Sequence, residues 1–118
     1  MHQIVFSDQS MVEIRKLNSI ELLALIDQLS ALANEMFKGA PKDLPKIRRG
    51  RTAFYRVKIG TLRVYLALKD KSVLYCHYII PQHTLTDFIF RSNLPISDEQ
   101  MIEQHSSFWK YVDSLKKK

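Results

Sequence analysis

The sequence predicts an α+β fold: an N-terminal strand, a two-helix hairpin packed on an antiparallel sheet, and an extra C-terminal amphipathic helix. Three observations carry that prediction. Residues 2–7, His-Gln-Ile-Val-Phe-Ser, are rich in strand formers. Apolar residues Leu22, Leu25, Ile26, Leu29, Leu32, Ala33 and Met36 recur every three and four positions, as one buried helical stripe requires. Between Phe54 and Ile80 three apolar, β-branched or aromatic runs are separated by short polar breaks, the pattern of an antiparallel meander.

Taken in order, Ile4 and Phe6 share one face of the first strand. Asp8 is expected to cap a short helix running to about Leu17, with Met11 and Ile14 turned inward. Asn18 followed by Glu21 has the form of a capping box for the second helix, in which each residue satisfies the other's free backbone amide, and Gly39 with Pro41 ends it. Residues 40–52 hold two prolines, a glycine and five basic groups and read as an exposed connection. Strands are then expected at about 54–59, 62–68 and 73–80, with a short helix after Pro81 near Thr84. Ser97 and Gln100 form a second capping box, and Met101, His105, Phe108, Val112 and Leu115 give the last helix an apolar stripe, which residues 116–118, all lysine, close favourably.

A chain of 118 residues with 46% apolar side chains suits one compact domain. One cysteine, Cys76, excludes an internal disulfide, and the four histidines have no zinc-ligand spacing, so no metal or other cofactor is expected. No leader-like or membrane-spanning apolar run is present, which points to the cytoplasm and to no membrane partner. The net charge is +6. From Lys42 to Lys71 there are ten basic residues and two acidic ones, so this segment supplies more than the whole excess. Such a concentration suits an anionic partner, nucleic acid first, although a solvated surface kept for solubility has the same composition.

A two-residue turn at Gly60-Thr61 pairs Ile59 with Leu62, Lys58 with Arg63, Val57 with Val64 and Arg56 with Tyr65. Alternation then turns Tyr55, Val57, Ile59, Leu62, Val64 and Leu66 to the core and Arg56, Lys58, Arg63 and Tyr65 to the opposite, solvent-facing side. Like charges directly opposite each other cost roughly 0.2–1 kcal/mol, so Lys58 against Arg63 is a local strain that a bound anion would relieve. Phosphate suits guanidinium and ammonium groups, and Lys46, Arg48, Arg49 and Arg51 thicken the same region. Tyr65 beside Arg56 adds a ring on which an unpaired base can stack.

The run Tyr55-Arg56-Val57-Lys58-Ile59-Gly60-Thr61-Leu62-Arg63-Val64-Tyr65 resembles the hairpin of the RelE/ParE toxin superfamily, and Lys46-Ile47-Arg48-Arg49-Gly50 resembles the basic, apolar and glycine residues that precede it there. The similarity covers roughly residues 2–92, with 96–118 as a C-terminal extension. It implies a small RelE-like domain that is the toxin of a toxin–antitoxin pair, an endoribonuclease cutting messenger RNA on the ribosome and silenced by a cognate antitoxin. Arg56 and Lys58 match the family's basic pair, Arg63 its phosphate-holding arginine, and His83 the region of a cationic or imidazole group after the last long strand. The implied chemistry is attack of a 2′-hydroxyl on the neighbouring phosphate. Arg63 and Lys58 would stabilise the transition-state charge, and His83 would move a proton near its ordinary pKa of about 6.5. Arg56 stays protonated and is assigned to phosphate binding.

Where many ribonuclease members carry a tyrosine in the helix after the last strand, this chain has Phe88, Ile89 and Phe90. Two alternatives therefore stand beside the ribonuclease: a ParE-like, non-enzymatic inhibitor of DNA gyrase, and a degenerate RNA-binding member of the fold. The terminal helix has three uses open to it: packing on the sheet, joining two copies as a homodimer, or occupying ground an antitoxin would take.

Overall fold

The computed structural model describes residues 3–39, 44–49, 51–69, 72–92 and 102–115. Strand β1 (Gln3–Phe6) leads into helices α1 (Asp8–Ile14) and α2 (Ser19–Lys38); strands β2 (Lys46–Arg49), β3 (Thr52–Ile59), β4 (Leu62–Leu68) and β5 (Val73–Pro81) follow, then α3 (Gln82–Ser92) and α4 (Ser106–Leu115). The sheet order is β1-β5-β4-β3-β2. Strands β3, β4 and β5 form the expected antiparallel meander and β2 extends it at one edge, but β1 lies parallel to β5, so the sheet is mixed. No tight turn links β1 to β5; two helices and three strands intervene, and so long a connection permits parallel pairing where a hairpin forbids it.

Ser7, not Asp8, caps α1, its Oγ accepting from the Ser10 amide at 3.1 Å. Beyond the end of β1, the Gln9 side chain takes over the β5 edge: its Nε2 donates to the Ile79 carbonyl at 2.8 Å and its Oε1 accepts from the Ile79 amide at 2.9 Å. An amide side chain thus replaces one backbone partner and leaves the buried strand edge satisfied. The Asn18–Glu21 capping box forms as expected, with both reciprocal bonds present.

The missed element is β2, inside the segment expected to be an exposed connection. It pairs Ile47 with Phe54 and Arg49 with Thr52. Cores form on both sides of the sheet. On one side Leu25, Leu29, Ala33 and Met36 of α2 meet Ile59, Val64, Leu66, Leu74 and Ile79. On the other, Ile102, Phe108, Trp109 and Val112 of the C-terminal segment and Leu85 and Phe88 of α3 cover Phe54, Tyr65, Tyr78 and Ile80. The second layer decides what the candidate site looks like. The capping residues Ser97 and Gln100 lie outside the described residues. Among the described residues no helix is long and apolar enough to cross a membrane.

Candidate nucleic-acid interface

The β3–β4 hairpin has the expected register: Ile59 opposite Leu62, Lys58 opposite Arg63, Val57 opposite Val64, and Arg56 opposite Tyr65. Gly60 turns at φ 61°, left-handed backbone that glycine adopts without the clash a Cβ brings. Tyr55, Val57, Ile59, Leu62, Val64 and Leu66 join the core beneath α2. Alternation therefore sends Arg56, Lys58, Arg63 and Tyr65 to the other face, as expected.

That face is not open to solvent. Arg56 is 8% exposed, Arg63 4% and Tyr65 0%; Lys58 alone of the four remains at the surface. The C-terminal segment covers Arg56 and Tyr65, and Gln82 of α3 meets Arg63. Glu103 brings its Oε1 to Arg56 Nη1 in a buried ion pair, and its Oε2 accepts from the Tyr65 hydroxyl at 2.6 Å. Its carbonyl accepts from Trp109 Nε1 at 3.0 Å, and the Trp109 ring stands edge-on to Tyr65 with centroids 5.3 Å apart. Burial, reinforced by the Glu103 carboxylate, pushes the Tyr65 hydroxyl far above the usual phenol range. Tyr65 therefore has no free ring face for a base, contrary to the sequence expectation.

A second carboxylate repeats the arrangement. Asp113 of α4 accepts from Arg49 Nη2 at 3.1 Å and from the Tyr78 hydroxyl at 3.0 Å, and Arg49 also donates to that hydroxyl. Burial and the Asp113 charge push Tyr78 up to about 12, with Arg49 opposing. The Arg49 guanidinium lies 5.6 Å from the Trp109 ring centroid. Arg49 is thus engaged by protein where a phosphate contact was expected. Each carboxylate bridges one arginine and one tyrosine of the sheet, so the face holds two protein anions where the sequence suggested phosphates.

The remaining expected residues do not converge on one patch. Alternation along β2 turns Ile47 and Arg49 to the covered face and Lys46 and Arg48 to the other; Lys46 Nζ lies 5.9 Å from the Tyr55 ring centroid. A cavity of about 460 Å³ opens between this edge strand and the C-terminal segment, lined by Lys46, Arg48, Arg56, Glu103 and Gln104 among others. Arg51 is exposed at the start of β3, on a different cavity. His83 is exposed and lines a separate hollow of about 540 Å³ with Gln9, Glu13, Asp87 and Arg91, between α1 and α3. Its neighbour Gln82 is the residue that meets Arg63, whose Nη1 donates to Gln82 Oε1 at 2.6 Å. Nothing in the sequence around Glu103 and Gln82 marks them, because a single polar residue beside an apolar one carries no local signal of its distant partner.

The chain matches no protein-family model, no curated protein and no solved structure. The site's own chemistry carries the functional reading. An arginine pair, an exposed lysine and a carboxylate can bind and exchange anions, but Arg56 is buried and neutralised by Glu103.

Proposed function

We propose that this chain is a RelE/ParE-type toxin of a toxin–antitoxin pair that acts on messenger RNA on the ribosome. Arg63 and Lys58 carry the phosphate charge, and a closed form is set by the chain's own C-terminal segment. The observation that carries the reading is the hairpin pairing that gathers Arg56, Lys58, Arg63 and Tyr65 on one sheet face in the sequence pattern of that superfamily. Action through Arg56 requires that Glu103 leaves that face, and action through Arg63 that Gln82 yields its place. His83, which lies in its own hollow with Asp87 and Glu13, supports a proton-transfer role less well than its sequence position does.

A second reading, an RNA-binding member that does not cleave, is favoured by the closure itself and by Phe88, buried where a hydroxyl would be needed. Induction in growing cells with sequencing of RNA 5′ ends separates the readings. The toxin reading expects arrest with new, discrete cleavage ends, both lost in Lys58→Ala, a surface change that leaves the fold intact. Arrest with intact messenger RNA and accumulating DNA breaks would transfer the chain to the gyrase-inhibitor class. Normal growth with intact RNA would leave only the binding reading.

A further inference from the structure

Among the described residues, one part of the same sheet face stays uncovered. Beyond the reach of α4, near the start of β3 and the β4–β5 connection, the face carries Thr52, Ala67, Lys69, Tyr75 and His77, and Arg51 stands beside them around a cavity of about 450 Å³. That volume is in the range of small-ligand clefts, about 300–1,000 Å³. Its depth has a simple origin. Where Tyr65 fills the preceding same-face position of β4, Ala67 offers only a methyl group and leaves a hollow.

The walls are aromatic and the rim is cationic. His77 lies 4.5 Å from Tyr75 and 4.7 Å from Phe54 between ring centroids, both inclined, so the three rings hold one another in place. Tyr75 and His77 are half-buried, each keeping surface toward the cavity, and Lys69 Nζ sits 5.2 Å from the Tyr75 centroid. Arg51 and Lys69 are exposed, and no carboxylate is among the described lining residues. Burial and the nearby Lys69 charge lower the His77 pKa, so at neutral pH the imidazole presents one donor and one acceptor.

We infer that this cleft is a seat for one unpaired nucleotide of a single-stranded RNA, its base stacked on Tyr75 and read by His77, its phosphates on Lys69 and Arg51. The inference rests on the RNA-directed function proposed above and adds a contact that needs no movement of the C-terminal segment. An acidic peptide would use the two cations but gains nothing from ordered ring faces, whereas base stacking does and tolerates any sequence.

The test is direct binding of the full-length chain to a short single-stranded RNA carrying 2-aminopurine, whose emission falls on stacking. Wild type is expected to bind with quenching. Tyr75→Leu should lose at least tenfold in affinity and most of the quenching, while Tyr75→Phe retains both. Lys69→Gln should lower the salt slope by about one, and Lys38→Gln, a matched charge change on α2, should bind like wild type. Circular dichroism checks that each variant is folded. Equal binding by wild type, Tyr75→Leu and Lys69→Gln would overturn the cleft while leaving the toxin reading to its own test of RNA ends. Binding without quenching, competed equally by polyglutamate, would overturn it by showing a surface that senses only charge.

Discussion

Replacing Glu103 with alanine should destabilise the chain more than any surface change, because it strands a guanidinium that water scarcely reaches. The Arg56 and Glu103 side chains are 9% and 4% exposed. Removing one member of a buried pair costs about 3–5 kcal/mol, since the remaining charge is left in a poorly solvating site. The Tyr65 hydroxyl loses its 2.6 Å acceptor at the same time. A 118-residue domain has roughly 6–18 kcal/mol of total stability, so the loss is a large fraction of it. The double variant Arg56→Met, Glu103→Leu removes both charges and should recover to within about 1 kcal/mol of wild type, about 2–4 kcal/mol more stable than Glu103→Ala alone. Urea unfolding provides the assay, read by two probes. The chain has one tryptophan, Trp109, which is buried in the terminal layer and reports its docking; far-UV circular dichroism reports the whole fold. Coincident transitions would mean that the segment unfolds with the domain, and separated ones that it undocks first. A Glu103→Ala midpoint that translates to less than about 0.5 kcal/mol, equal in the Arg56→Met background, would refute the buried pair and with it the closed face.

Three further outcomes follow from burial and backbone conformation. Burial pushes Cys76 up to about 12 and Tyr78 up to about 12, from ordinary values of 9.0 and 10.0. Between pH 9 and 12 the unfolded chain releases protons that the folded chain retains, so stability should fall with rising pH across that window. Urea midpoints from pH 8 to 11 check the trend, and a thiol reagent at pH 8 should label Cys76 only as fast as the chain opens. Gly60→Ala meets no atom within 4 Å, so its cost is the left-handed backbone alone, about 1–2 kcal/mol in thermal or urea unfolding.

Local chemistry made the hairpin legible. A glycine-first turn between two alternating runs leaves one register that buries Val57, Val64 and Leu66 together, and a slip of one residue would turn all of them to the wrong face. The capping box of α2 was legible for the same reason, since its partners are three residues apart. Strand β2 was not, because Lys-Ile-Arg-Arg between a proline and a glycine is a weak strand signal, and Ile47 becomes a strand residue only by docking on the far core. Closure of the second face did leave a trace. The run Val64-Tyr65-Leu66-Ala67-Leu68 in β4 and Tyr78-Ile79-Ile80 in β5 are apolar at consecutive positions, the pattern of strands buried on both sides. The apolar stripe of α4 had an address in those residues. What no spacing reveals is that Glu103 and Asp113 would arrive with that stripe and take up Arg56 and Arg49.

The apolar residues of the C-terminal layer, more than its two carboxylates, decide how tightly the face is closed. Exchanging a carboxylate for a phosphate on the same arginine keeps a charge-assisted hydrogen bond on each side of the balance, so the ionic part alone presents a small barrier. The apolar part is different. Ile102, Phe108, Trp109 and Val112 are each almost fully buried, and at roughly 1.5–3 kcal/mol per side chain their undocking costs about 6–12 kcal/mol. Spontaneous opening would then populate about 1 molecule in 10⁴ or fewer. A free oligonucleotide gains its contacts mainly through charge and cannot replace that apolar burial, whereas a large partner surface with differential affinity for the open form can shift the balance. On the proposed reading, activity through Arg56 is therefore conditional on a large partner surface, and the ribosome is one, so the deciding experiment for the proposed function is induction in cells rather than incubation of the isolated chain with RNA.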